Sequence, residues 1–269
     1  MPELKQITKE TFDKISIEEY VEHWKVQEDI PYIEHPVDDY QSETCKLDAY
    51  YPDDRQGVPA LVVFHGGGMK GGTRKGFCQM QKLLGCAIFS VEYRLHPHVK
   101  CPAYIQDAAA AVAWVKRNAT KFHASPNNIF VTGESAGAYL TAILATNRSF
   151  LAAEDLDPHD INGYMPIDGE MITHFTIRAE RGIPNTVQIV DEYAPLAFAH
   201  ENLPPLLMVT SATVLDIDCR PSDNKLMWDA IRFAGNHTAE FYELPGLTHS
   251  NVWSAAYPYM LDFIKKWMR

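Results

Sequence analysis

The sequence predicts an α/β fold, a mostly parallel central sheet with helices on both faces and a short cap insertion. Three observations carry that prediction. Continuous apolar runs at 60–64 (Ala-Leu-Val-Val-Phe), 87–91 (Ala-Ile-Phe-Ser-Val) and 129–131 (Ile-Phe-Val) read as strands buried on both faces. Stretches with helical patterning alternate with them, the clearest at 107–117. Two of the runs open into tight glycine turns, His65-Gly66-Gly67-Gly68 and Gly133-Glu134-Ser135-Ala136-Gly137.

Taken in order, residues 1–30 read as an N-terminal extension with a short helix near 17–25. Segments 30–33 and 45–51 mix apolar and polar residues as edge strands do, and 52–57 (Pro-Asp-Asp-Arg-Gln-Gly) is turn chemistry. After the three buried strands the alternation continues through a strand at 164–167, a strand at 206–210, a helix at 224–233, a strand at 239–244 and a helix at 259–267. Residues 146–160 and 170–195 fit the repeat poorly, and the second is expected to be a cap-like insertion over the site. No linker, repeat or low-complexity run divides the chain, so 31–269 is expected to be one catalytic domain.

Composition narrows the function classes. With 269 residues, 46% hydrophobic and 22% charged, the chain can bury a sizeable core. A net charge of −11 with no Lys/Arg cluster argues against nucleic acid or an anionic membrane as partner. The first residues lack a signal-peptide core and no apolar run reaches membrane-spanning length, so a soluble cytoplasmic protein is expected. The five cysteines, Cys45, Cys78, Cys86, Cys101 and Cys219, include no C-x-x-C pair and are expected to be reduced, mostly buried thiols.

The chemistry is concentrated in the two glycine turns. Gly133-Glu134-Ser135-Ala136-Gly137 lies between an apolar strand and a run of helix formers, the setting of a nucleophile elbow with Ser135 at its tip. Taken alone such a pentapeptide is more often a glycine-rich turn, and it is the setting that favours the nucleophile. The helix that follows would direct its dipole and free N–H groups at the serine. Acyl transfer also needs a base, an acid to orient it and donors for the oxyanion. Of the eleven histidines, His249 alone follows a late strand directly, in Leu244-Pro245-Gly246-Leu247-Thr248-His249. The acid is expected after the preceding strand, where Asp216, Asp218 and Asp223 compete; counting back from the helix favours Asp216, with Asp218 next. Backbone N–H groups of Gly67, Gly68 and Ala136 are expected to form the oxyanion hole. A phosphate loop does not fit the first turn, because Met69-Lys70-Gly71-Gly72 contains no G-K-[ST] and no G-x-G-x-x-G. His65 is expected to fix its loop through backbone partners.

At this point the chain resembles the hormone-sensitive-lipase-like branch of the α/β-hydrolase superfamily, from about residue 45 to the C-terminus. The resemblance rests on His65-Gly66-Gly67-Gly68, Val91-Glu92-Tyr93-Arg94-Leu95, residues 101–107, the elbow, Leu203-Pro204-Pro205 and residues 245–249, in order and spacing. It implies an α/β-hydrolase fold with Ser135, Asp216 and His249 as triad and Gly67, Gly68 and Ala136 as oxyanion hole. Two departures stand out. The branch usually has Gly-Asp where this sequence has Ser211-Ala212, and its usual acid position is Val214 here. The helical cap is also reduced, which suggests a small acyl group.

The resulting expectation is a serine carboxylesterase acting on a small-molecule short-chain acyl ester, with no cofactor and no metal site. An amidase or formamidase on the same triad is the alternative, and a silent binding module of the same fold is a third reading that the intact serine, histidine and glycine loop disfavour. His96-Pro97-His98 lacks a clear third ligand and reads as loop, Asp107 as a residue that caps or orients its helix, and 180–184 as a solvated turn. Oligomeric state cannot be read from the chain.

Overall fold

The apolar run around 60–64 forms a central strand of an eight-stranded sheet. The computed structural model describes residues 4–14, 24–76, 80, 84–212 and 220–269. Among these, the strands of the sheet are β1 (Trp24–Pro31), β2 (Lys46–Pro52), β3 (Val58–Phe64), β4 (Ala87–Val91), β5 (Ala124–Glu134), β6 (Gly163–Ile167), β7 (Leu207–Thr210) and β8 (Glu240–Glu243). Their spatial order is β8-β7-β6-β5-β3-β4-β2-β1. Pairing is parallel from β8 to β4 and antiparallel on both sides of β2. Every residue of β3 and β4 is buried, which explains why these segments read as unbroken apolar runs, and β6 is buried throughout as well. The main helices flanking the sheet are α1 (Ala103–Asn118), α2 (Ala136–Thr146), α3 (Phe175–Glu180), α4 (Arg220–Phe233) and α5 (Tyr257–Trp267). All eleven residues of α2 are buried, so the helix behind the serine is part of the core.

The register places the chemistry. Phe64 pairs with Gly133, Glu134 with Ile167, Ile167 with Val209 and Thr210 with Glu243. The carboxyl ends of five parallel strands therefore end in one row, and the residues that follow them share one edge of the sheet.

Elsewhere the structure refines the expectations. Trp24–Pro31 is an edge strand, so the sheet takes in residues that the sequence reading left in the 1–30 extension. Most of the helix expected near 17–25 lies outside the described residues, and Trp24 and Lys25 begin the strand. Asp107 does not cap its helix. It is buried and accepts from Arg94 Nε and Nη2, both at 2.8 Å, and from the Arg94 amide at 3.1 Å, a bidentate pair joining α1 to the segment after β4. Glu180 is not in a solvated turn either, since its carboxylate accepts from the Cys101 amide at 2.9 Å and from the Tyr104 hydroxyl at 3.3 Å. Cys45, Cys86 and Cys101 are free thiols; Cys78 and Cys219 lie outside the described residues.

Candidate active site

Ser135 sits between β5 and α2 with φ +54° and ψ −116°, a conformation that a non-glycine residue adopts only when its surroundings enforce it. Its amide donates to Ile167 O at 3.0 Å and its carbonyl accepts from the Tyr139 amide at 3.0 Å, so the turn is pinned to β6 on one side and to α2 on the other. Glycine at 137 is dictated by contact, because a Cβ there would collide with the Phe64 carbonyl. Ala136 is the first residue of α2, where helix N–H groups have no partner within the helix.

The glycine loop after β3 folds against this turn. A Cβ on Gly66 would lie 3.2 Å from Ser135 Cβ. Gly67 has φ +104° and Gly68 φ +64°, so the loop turns sharply, closed by Lys70 and Gly71 amides that both donate to Gly67 O at 3.1 Å. His65 anchors the loop from below. Its Nδ1 lies 2.7 Å from Gly66 O and its Nε2 2.7 Å from Glu92 Oε1, with the ring stacked on Tyr93 at 4.4 Å. Only one of its partners is backbone; the other is a carboxylate, itself 3.6 Å from Arg74 Nη1.

His249 lies in the loop after β8, and Nδ1 of its ring is 2.7 Å from Oδ2 of Asp168, the residue that follows β6. Burial pushes the Asp168 carboxyl up, but hydrogen bonds from His249, Thr210 and the Ser211 amide together outweigh it and hold the group below its ordinary range. The group is therefore ionised and can only accept. Nδ1 of His249 must then carry the hydrogen, which leaves Nε2 with the free lone pair of a base. Asp216, the acid expected from the sequence, falls within 213–219, outside the described residues. The acid was expected only beyond β7, so Asp168, which the structure places against His249, was not among the candidates. A signal was available, since an aspartate directly after a buried strand, with Ser211-Ala212 where a Gly-Asp pair is usual, invites a second candidate.

Glu134 accompanies this pair. Burial raises its carboxyl, and the nearby His249 and His65 act in the opposite direction, so both histidines lie within electrostatic reach of the residue preceding the serine.

Residues 47–200 match the model of the BD-FAE family, more than half of the chain. The chain belongs to the BD-FAE family. Curated proteins similar to this BD-FAE chain carry the names of esterases and carboxylesterases. Esterase LipQ of Mycobacterium tuberculosis is 25% identical over 82% of this chain and 60% of its own length. Carboxylesterase NlhH of the same organism is 31% identical over 52% of this chain and 42% of its own length. The chain thus spans less than two thirds of either relative. Among solved structures, a truncated carbohydrate esterase from gut microbiota aligns with TM-score 0.74 at 18% identity, over 94% of this chain and 99% of that one. Butyrate-bound Thermogutta terrifontis esterase 2 aligns with TM-score 0.70 at 20% identity, over 93% of this chain and 95% of that one. At such identities the likeness is one of fold, and it is the α/β-hydrolase fold.

Between β6 and β7 this BD-FAE chain carries α3 against the glycine loop. A Cβ on Gly68 would fall 2.7 Å from Phe175 Cζ, and Thr176 Oγ1 donates to Gly68 O at 2.5 Å. His174 is buried, its ring 4.3 Å from that of Phe175 and 5.1 Å from that of Tyr139. Burial, reinforced by Arg220, Arg178 and Lys70, lowers it to about 3, so it is neutral at ordinary pH. Arg178, fully buried, donates from Nη1 to Gln188 Oε1 at 3.1 Å and lies 3.6 Å from Glu170 Oε1. Of the histidines at 96 and 98, His96 Nδ1 is 3.3 Å from Glu180 Oε1 and the His98 ring lies against Tyr40. Among the described residues no group of three or more metal-ligating side chains converges, and no helix is long and apolar enough to cross a membrane.

Proposed function

We propose that this protein is a serine carboxylesterase that hydrolyses short-chain acyl esters, such as acetyl esters, through an acyl-enzyme intermediate. The observation that carries the reading is the Asp168–His249 hydrogen bond formed on the sheet edge that presents Ser135. Ser135 Oγ attacks the ester carbonyl carbon while His249 Nε2 takes its proton, and Asp168 holds Nδ1–H and stabilises the imidazolium. The N–H groups of Gly67, Gly68 and Ala136 receive the developing oxyanion. Collapse of the tetrahedral intermediate breaks the bond to the alcohol oxygen, which takes the proton from His249. A water then attacks the acyl-serine by the same route in reverse, releasing the acid and restoring Ser135.

In this reading Asp168 fills the role the sequence suggested for Asp216. Residues 31–269 act as the catalytic domain and 170–195 as a short cap. Phe175 of α3, packed on the glycine loop, narrows the space beside it and favours a small acyl group. The names of the relatives, esterases and carboxylesterases, support the ester chemistry.

The test compares p-nitrophenyl acetate, butyrate and octanoate, together with an aryl formamide, using wild type and Ser135→Ala. The expected result is a burst and turnover on acetate and butyrate, much slower reaction with octanoate and formamide, and no turnover by the alanine variant. A folded wild type that turns over none of the esters, or an alanine variant as active as wild type, overturns the reading; preference for the formamide moves it to an amidase.

A further inference from the structure

We propose that Thr210 and Ser211, at the tip of β7, are positioning residues that lock the Asp168 carboxylate with one oxygen saturated and the other turned to His249. The inference rests on the triad reading above and goes beyond it, because it gives the end of the strand from which the acid was expected a different task. Oδ1 of Asp168 accepts from Thr210 Oγ1 at 2.6 Å, from the Ser211 amide at 2.9 Å and from Ser211 Oγ at 3.2 Å. Oδ2 accepts from His249 Nδ1 at 2.7 Å. Asp168 and its two anchoring residues are at most 1% exposed, so no water competes for these donors.

A carboxylate otherwise turns about its last torsion and presents its two oxygens equally. Donors concentrated on one oxygen remove that freedom and aim the second oxygen's lone pair at Nδ1–H, which fixes the imidazole tautomer. They also stabilise the charge on Asp168, so the proton between the two residues stays on nitrogen. The backbone holds the geometry from the other side. The Asp168 amide donates to Val209 O at 2.8 Å, and φ at Asp168 is +58°, which turns the side chain back across β7. Sheet pairing thus makes the tips of β6 and β7 into one unit, with the acid on one strand and its donors on the next.

The experiment uses the full chain with p-nitrophenyl acetate. Thr210→Val should lower kcat about 10- to 100-fold, the loss expected for a hydrogen bond to a charged group, with KM within about twofold. Thr210→Ser, which keeps the hydroxyl, should return to within about threefold of wild type. Loss of a donor makes Asp168 more basic, so it holds the imidazolium more tightly and the acid limb of kcat/KM should move to higher pH, by about half a unit or more. The other titratable groups around the pair, Glu134 at the end of β5 with His65 and Tyr257 beyond it, are the same in all variants. Ser211→Ala, which keeps the amide donor, should give a smaller shift of the same sign and serves if Thr210→Val does not fold. A wild-type kcat and acid limb in both Thr210→Val and Ser211→Ala, with Ser135→Ala and Asp168→Asn inactive, would overturn the inference and leave the triad standing. An active Asp168→Asn would instead overturn the triad reading itself.

Discussion

Asp168 and His249, 81 residues apart in the chain, are joined by a 2.7 Å hydrogen bond between Oδ2 and Nδ1. The contact joins the turn after β6 to the loop after β8, and across β6 the same strand end is tied to the serine turn by the bond from Ser135 N to Ile167 O at 3.0 Å. One hydrogen bond and one peptide unit therefore separate the backbone of Ser135 from Asp168. Such a short relay fixes relative positions better than long loops would.

Asp168→Asn tests that relay. Asparagine tolerates the left-handed backbone at 168, so the fold should persist, but its amide can donate to Nδ1 and stabilise the wrong tautomer. The expected loss in kcat is about 10³- to 10⁴-fold, the scale seen when a triad acid becomes an amide. Asp216→Asn should stay within about threefold of wild type. Side-by-side kinetics on p-nitrophenyl acetate decide between the two carboxylates; the reverse ranking would return the role to Asp216.

The contrast between these aspartates shows how far the sequence could be read. The placement of Ser135 on a strand-to-helix turn, of His249 in the loop after β8 and of the glycine turn after β3 was legible because each is written locally. The carboxylate partner of His249 is not written locally. Its identity depends on which strand tips become neighbours, and the pairing Ile167–Val209 brings Asp168 beside Thr210 and Ser211. The role of Glu180 was missed for the same reason, since its partners in the Cys101–Tyr104 turn are set by packing, and packing likewise decided that Asp107 orients its helix through Arg94 rather than capping it. The positions of the central strands along the chain, by contrast, followed from apolar runs that the two-sided burial of the sheet requires.

The glycine loop predicts its own sensitivity. Gly68→Ala places a methyl group 2.7 Å from Phe175 Cζ at a residue with φ +64°. The loop must shift, and its amide with it, so kcat should fall by about 10- to 100-fold, approaching the roughly 3 kcal/mol typical of a lost oxyanion donor. Pairing Gly68→Ala with Phe175→Leu should recover part of that loss by relieving the clash while leaving the backbone cost. Steady-state kinetics of the single and double variants check this, and a double variant no better than the single would show that the ring is not the obstacle.

Arg94→Met should destabilise the fold without touching the site. The substitution leaves the Asp107 carboxylate buried without its bidentate partner, and breaking a buried pair from one side costs about 3–5 kcal/mol. Urea unfolding should show a lower midpoint with an unchanged slope, while the remaining folded fraction keeps its KM. Replacing both partners with apolar residues should recover much of the loss, because the cost lies in the orphaned charge.

Asp223 predicts a dependence of stability on pH. Burial, helped by Glu170 and opposed by Arg178 and Arg220, pushes its carboxyl up to about 7, and its buried Oδ2 has no hydrogen-bond partner among the described residues. In the unfolded chain the same group ionises near the ordinary value of about 3.9. Between those values the folded protein binds a proton that the unfolded chain does not, so this group makes stability fall as pH rises through the window and level off above about 7. Asp223→Asn removes the titration. The variant's thermal midpoint should therefore exceed that of wild type at pH 8, by about 2–4 °C for a difference on the order of 1 kcal/mol, and the advantage should shrink as pH falls toward 5. Melting curves for both proteins at pH 5, 6.5 and 8 provide the check, because the difference between them isolates this one carboxyl from every other group that titrates in common. A difference that is the same at all three pH values would mean that Asp223 is ionised in the folded protein throughout, with its charge carried by Arg178 and Arg220.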